Sequence, residues 1–104
     1  MEPKATKIPI RVPHEVPREL VAEYLERCRR GLPLLEDAAS QDRYEQARLL
    51  GHRMKGTGAP YGFSRLTEIG ALIEHAAADG NGGALREHVA ELAEYLGRVE
   101  ISGE

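Results

Sequence analysis

His52 is followed by Lys55 and Gly56 at i+3 and i+4, the spacings that share one face of a helix. An imidazole on a helix surface keeps a neutral, nucleophilic population near neutral pH and needs no deep pocket to use it. A lysine one turn along supplies positive charge to an arriving or resident phosphoryl group. A glycine at i+4 takes away the side chain that would otherwise crowd the ring. In a helix it costs about 1 kcal/mol relative to alanine, so a purpose other than stability is expected of it. Each residue also has a plainer reading, as a surface histidine, a solvated lysine or a glycine used for packing. Their common register favours the chemical one.

The element that carries them reads as a helix starting after Ser40, an N-cap residue type, with Asp42 in the first turn. Its apolar stripe is Tyr44, Ala47, Leu50, Gly51 and Met54. At ~100° per residue His52 lies about 140° from the centre of that stripe and is expected to face water. Leu49, about 160° around from Gly51, is also expected on the outer face, one turn before His52. With the bare backbone at Gly56 it would form a small apolar platform, rimmed by Arg48, Arg53 and Glu45, on which a partner could seat. The alternative is that Leu49 packs on a neighbouring helix or on the N-terminal segment. The helix ends in Gly58-Ala59-Pro60-Tyr61-Gly62, which no helix crosses.

Three further helical stretches surround it. The first runs from about Pro17 to Ala39 with Leu20, Val21, Tyr24, Cys28, Leu32 and Leu35 on one face. Gly31 and Pro33 interrupt it, and a kink or short break is expected there. The third begins near Phe63 and buries Leu66, Ile69, Ile73, Ala76 and Ala77; Asp79 to Gly83 stop it, with Asn81 placed to cap the next. The fourth buries Leu85, Val89, Leu92, Leu96 and Val99. Residues 1–17 hold four of the six prolines, and Ile8, Ile10 and Val12 alternate with Pro9 and Arg11. They read as extended chain, either a strap along the bundle or a loose tail. The expected fold is all-α, an antiparallel up-down four-helix bundle. Its parts are an extended N-terminal segment (1–16), the bundle (17–99) and a C-terminal tail (100–104).

The whole chain narrows the function classes. Its 104 residues allow one small core. A formal net charge of −3 with both signs interspersed offers no basic stripe for nucleic acid. Cys28 is the sole cysteine, which rules out an internal disulfide and a cysteine zinc cluster. No HExxH pattern or other metal-ligand spacing occurs, so no metal site is expected. The glycines at 51 and 56 mimic a phosphate loop, but Thr57 stands where that motif needs lysine. The Gly80 to Gly83 cluster lacks a lysine as well. No ATP site is therefore expected, and autokinase activity is not. His14 and His75 read as surface residues and His88 as a boundary residue of the fourth helix. No apolar run approaches the ~20 residues of a membrane span, and a signal-peptide core is lacking. A cytoplasmic monomer is expected.

Residues 47–63, ARLLGHRMKGTGAPYGF, resemble the signature of bacterial histidine-containing phosphotransfer (HPt) domains. The likeness lies in a histidine, a lysine and glycine at +3 and +4, and a Gly-aromatic pair opening the next helix: here His52, Lys55, Gly56, Gly62 and Phe63. Leu66 and Leu72-Ile73-Glu74 also resemble the family's third helix, and the likeness spans roughly residues 16–98. Met54 stands where leucine is commoner, and Gly31 and Pro33 are unusual in the first helix. The resemblance implies that His52 is the phosphoacceptor and that Lys55 stabilises the phosphohistidine. Glu74 falls where related domains often place a polar residue near that histidine. It further implies a phosphorelay in which a receiver domain's aspartyl phosphate donates to His52, which passes the group to another receiver. The partners would be receivers of response regulators and of a hybrid histidine kinase. Mg²⁺ and the acidic residues would come from the receiver, and no cofactor would be bound by this chain. Two other readings share the fold: a non-catalytic adaptor that docks a signalling partner, and the acceptor module of a chemotaxis-type kinase. The missing ATP-binding domain counts against the latter. The initiator-like Met1 favours a free-standing protein over a fragment of a hybrid kinase.

Overall fold

The computed structural model describes residues 7–101. In chain order these form β1 (Ile8–Ile10), α1 (Arg18–Ser40), α2 (Tyr44–Thr57), a 3₁₀ turn (Ala59–Tyr61), α3 (Ser64–Ala78), α4 (Gly82–Arg98) and β2 (Val99–Ile101). The first six residues of the N-terminal segment and the last three of the C-terminal tail lie outside the described residues.

Four amphipathic helices bury one face each, as helical spacing of their apolar residues requires. The core holds Val21, Tyr24, Leu25, Leu35, Ala38 and Ala39 from α1, Ala47 from α2, and Leu66, Ile69, Ile73, Ala76 and Ala77 from α3. Leu85, Val89, Leu92, Tyr95 and Leu96 of α4 complete it, joined by Phe63, Val99 and Ile10. Leu20 is 44 % exposed, contrary to its expected place in the core. The buried line of α1 runs through Val21, Leu25, Cys28, Leu32 and Leu35, and Leu20 sits about 100° off it. Asn81 caps α4 as expected, its side-chain oxygen accepting from the Ala84 amide at 3.1 Å.

Other expectations fail as well. α1 runs through Gly31 and Pro33 as one 23-residue helix, without a break. Proline removes one backbone hydrogen bond, but Leu25 before it and Leu35, Ala38 and Ala39 after it are all buried, and that packing keeps the helix continuous across it. Ser40 does not cap α2. It is the last residue of α1, and its hydroxyl donates to the Asp37 carbonyl. Asp42 is not in the first turn of α2; it occupies the left-handed region at φ 56° and makes the link. Its carboxylate accepts from the Tyr44 hydroxyl at 3.2 Å and from Arg86 at 3.4 Å. Finally, Val99 is buried as expected, but as the C-cap of α4 and not as a helical residue. α4 stops at Arg98, and Val99–Ile101 pairs in parallel with Ile8–Ile10, Ile8 opposite Val99 and Ile10 opposite Ile101. The described part of the N-terminal segment is thus a strap. Arg29 of α1 secures the junction by donating to the carbonyls of Leu96 and Val99 at 3.1 and 2.9 Å.

Candidate functional site

α2 and α3 approach each other more closely than side chains would permit, because glycine faces glycine. A Cβ at Gly51 would stand 2.8 Å from the Glu74 amide nitrogen and 2.9 Å from the Gly70 carbonyl oxygen. One at Gly70 would stand 2.6 Å from the Lys55 nitrogen. Both glycines are buried. Glu74, one turn beyond Gly70, is carried by this approach against the face of α2 that bears His52 and Lys55.

The three side chains meet there. The Glu74 carboxylate bonds His52 Nδ1 through one oxygen at 3.0 Å and Lys55 Nζ through the other at 2.9 Å. The His52 side chain is 61 % exposed and that of Glu74 20 %, so the carboxylate sits behind the ring and the ring faces water. The hydrogen bond from Lys55, helped by His52, holds the Glu74 carboxyl below the usual carboxylate range although desolvation opposes it. Among the described residues no group bonds Nε2 of His52. A carboxylate on Nδ1 makes that nitrogen the protonated one and leaves the Nε2 lone pair outward. The arrangement is an oriented nucleophile, with a cation one turn away.

The other expected residues lie around it. A Cβ at Gly56 would meet nothing within 4 Å, so the space over the imidazole is open on that side. Leu49 is 42 % exposed, one turn before His52. Arg48 turns to Glu45, donating from Nε at 3.1 Å and Nη2 at 2.7 Å. Neither it nor Leu49 bonds to His52, Lys55 or Glu74, though the Arg48 charge acts on Glu74. His14 and His75 are exposed, and His88 is half-buried against Glu91. Among the described residues no three His, Cys, Asp or Glu side chains come together to hold a metal ion, and no helix is long and apolar enough to cross a membrane.

The glycine pair is what a reading of residue types alone misses. Gly51 shows only as a small member of the apolar stripe, and Gly70 as a gap between Ile69 and Ile73. Two glycines on the inner faces of consecutive helices are nevertheless a legible sign of close backbone approach. The loop before α3 uses the same device: Gly62 adopts φ 96°, and a Cβ there would stand 3.0 Å from the Arg11 carbonyl oxygen of the strap.

Helices that present a histidine backed by a carboxylate and a lysine define a structural class, and comparison with protein families identifies the family. The Hpt domain matches residues 19–101, and the chain belongs to that family. This places it in phosphorelay, two-component signalling. No curated protein matches the chain, and no solved structure does.

Proposed function

We propose that the protein is a phosphorelay intermediate. It accepts a phosphoryl group on Nε2 of His52 from a receiver domain's aspartyl phosphate and passes it to a second receiver. The observation that carries this reading is the Glu74 carboxylate on His52 Nδ1 at 3.0 Å, which commits the opposite nitrogen to attack. In the transfer the N–P bond forms at Nε2 as the P–O bond to the aspartate breaks, and the aspartate leaves as a carboxylate. The ring proton stays on Nδ1, so the phosphorylated ring is an imidazolium whose positive charge Glu74 balances. Lys55 lies beside the incoming phosphoryl oxygens, where positive charge offsets theirs. Gly56 leaves room for the receiver to close over the ring. The receiver supplies Mg²⁺, and this chain contributes position rather than acid–base chemistry of its own. It acts without an ATP site, as a carrier and not as an independent enzyme.

Leu49 gives the receiver an apolar foothold beside the acceptor, and Arg48 lies at its rim. The helices run up and down in antiparallel order; this is supported by the bond from Tyr24, early in α1, to Thr57, at the end of α2, at 2.8 Å. A monomer acting in the cytoplasm suits a site that must meet two partners in turn.

The test is to mix the chain with phosphorylated receivers and follow the label. The parent is expected to take it up as an acid-labile, alkali-stable phosphoramidate. His52→Gln is expected to take up none, while its stability stays within ~0.5 kcal/mol, as for other exposed positions. Labelling that persists in His52→Gln, at His75 or His88, would overturn the assignment.

A further inference from the structure

Away from the His52 face, a cavity of about 420 Å³ opens between α1 and α2. This is within the roughly 300–1,000 Å³ typical of small-molecule pockets. Its walls are apolar: Cys28 and Leu35 from α1, Leu50 and Met54 from α2. At one end it is shut, because Tyr24 bonds Thr57 across the two helices at 2.8 Å and stacks on Tyr61 with ring centroids 4.5 Å apart. A groove closed in this way suits a molecule that terminates inside it better than a helix lying along it.

The charge at its rim has one sign. Arg27 and Arg53 line the cavity, both exposed, and no carboxylate does. Arg27 lies 5.9 Å from the Tyr24 ring centroid, and among the described residues neither guanidinium has a carboxylate partner. Most of the other arginines on the helices do pair, so these two stand out. Gly31 completes the picture. It lines the same cavity, and a Cβ there would meet nothing within 4 Å. A glycine in mid-helix costs about 1 kcal/mol relative to alanine, and here no packing requires it. What its lack of a side chain does is keep the groove open.

We propose that this groove is a binding site for a small amphipathic anion, with its apolar body between α1 and α2 and its acidic head between Arg27 and Arg53. The site is separate from the acceptor ring, although Arg53 also stands at the rim of the face offered to a receiver. Leu50, Arg53 and Met54 project from α2 on sides other than that of His52, so an occupant leaves the acceptor ring uncovered.

Decanoate, below its micelle concentration, is the probe. Titrated calorimetrically into the intact chain, it is expected to bind one to one and to slow alkylation of Cys28, the thiol in the groove wall. Burial raises the pKa of that thiol, so alkylation is followed at alkaline pH. Decyltrimethylammonium, with the same tail and the opposite charge, is expected not to protect. Replacing both arginines, Arg27→Gln with Arg53→Gln, is expected to weaken decanoate at least about tenfold, since two charge-assisted contacts are lost. Gly31→Leu is expected to fold and to block binding by filling the groove. The proposal is overturned by the absence of saturable decanoate binding, by equal binding of the cationic probe, or by full affinity in both variants. It is equally overturned if decanoate leaves Cys28 reactive while a second copy of the chain or a receiver shields it, which would assign the groove to a polypeptide. None of these outcomes depends on whether His52 accepts phosphate.

Discussion

Replacing Gly70 by alanine tests whether glycine-to-glycine contact is what brings Glu74 to His52. The new Cβ would lie 2.6 Å from the Lys55 nitrogen, 2.9 Å from the Gly51 oxygen and 3.1 Å from the Lys55 Cα, all backbone atoms, where ordinary contact begins at 3.4 Å. α2 and α3 must therefore part by about 0.8 Å, and a rigid shift of that size takes the 3.0 Å His52–Glu74 bond to about 3.8 Å, beyond hydrogen-bonding reach. Overpacking of this kind costs about 1–3 kcal/mol, while the gain in helix propensity over glycine is about 1 kcal/mol. Gly31→Ala supplies the reference, because it takes the same propensity gain with open space around its Cβ. Urea unfolding of the two variants is expected to separate them by about 1–3 kcal/mol, with Gly31→Ala the more stable. Imidazole nitrogen spectra are expected to show that Nδ1 of His52 loses its carboxylate partner only in Gly70→Ala. Equal stabilities and an unchanged His52 spectrum would refute the argument.

Three further outcomes are expected. Gly56→Leu gains several tenths of a kcal/mol of helix propensity and meets no neighbour at its Cβ, so it should melt no earlier than the parent yet accept phosphate from a receiver far more slowly; transfer at the parental rate would remove the access argument. Leu49→Asp places a charge at a position already 42 % exposed, so receiver binding measured by titration should weaken while the melting curve moves little, and early melting with normal binding would return Leu49 to a packing role. The Glu74 carboxyl is lowered from 4.5 in the folded chain, chiefly by Lys55; its contribution to stability is therefore fully present above pH 4.5 and lost as the pH falls through the lower folded value. Glu74→Gln should flatten that part of the stability profile, and a profile identical to the parent's would show that the ion pair is not formed in solution.

Much of this was legible in the sequence. The helical spacing of Leu66, Ile69 and Ile73, and of Leu85, Val89, Leu92 and Leu96, is local information, and each helix buries the residues it names. The outward placement of His52, Gly56 and Leu49 follows from the same angular arithmetic. What depends on remote partners was not legible. Ser40 and Asp42 are both capping types two residues apart, and Arg86, far along the chain, helps decide that Asp42 makes the link. Val99 continues the spacing of Leu92 and Leu96 and reads as helix until Ile8 lies opposite it. The family resemblance points to Glu74 near His52, but residue type and spacing alone leave it one acidic residue among many on the helix surfaces; the backbone approach at Gly51 and Gly70 is what gives it His52 and Lys55 as partners.

The pairing of Ile8–Ile10 with Val99–Ile101 has a mechanical side. Because the two strands run parallel and close the chain on itself, the whole helical unit is the crossover between them. Tension applied to the two ends in opposite directions pulls the strands along their own length, so the hydrogen bonds between them are loaded together in shear and cannot be unzipped one by one. Arg29, which grips the Leu96 and Val99 carbonyls from α1, shares that load with the bundle. A pull delivered through the two strands thus meets a clasp before it reaches the helices, α2 and its His52 among them.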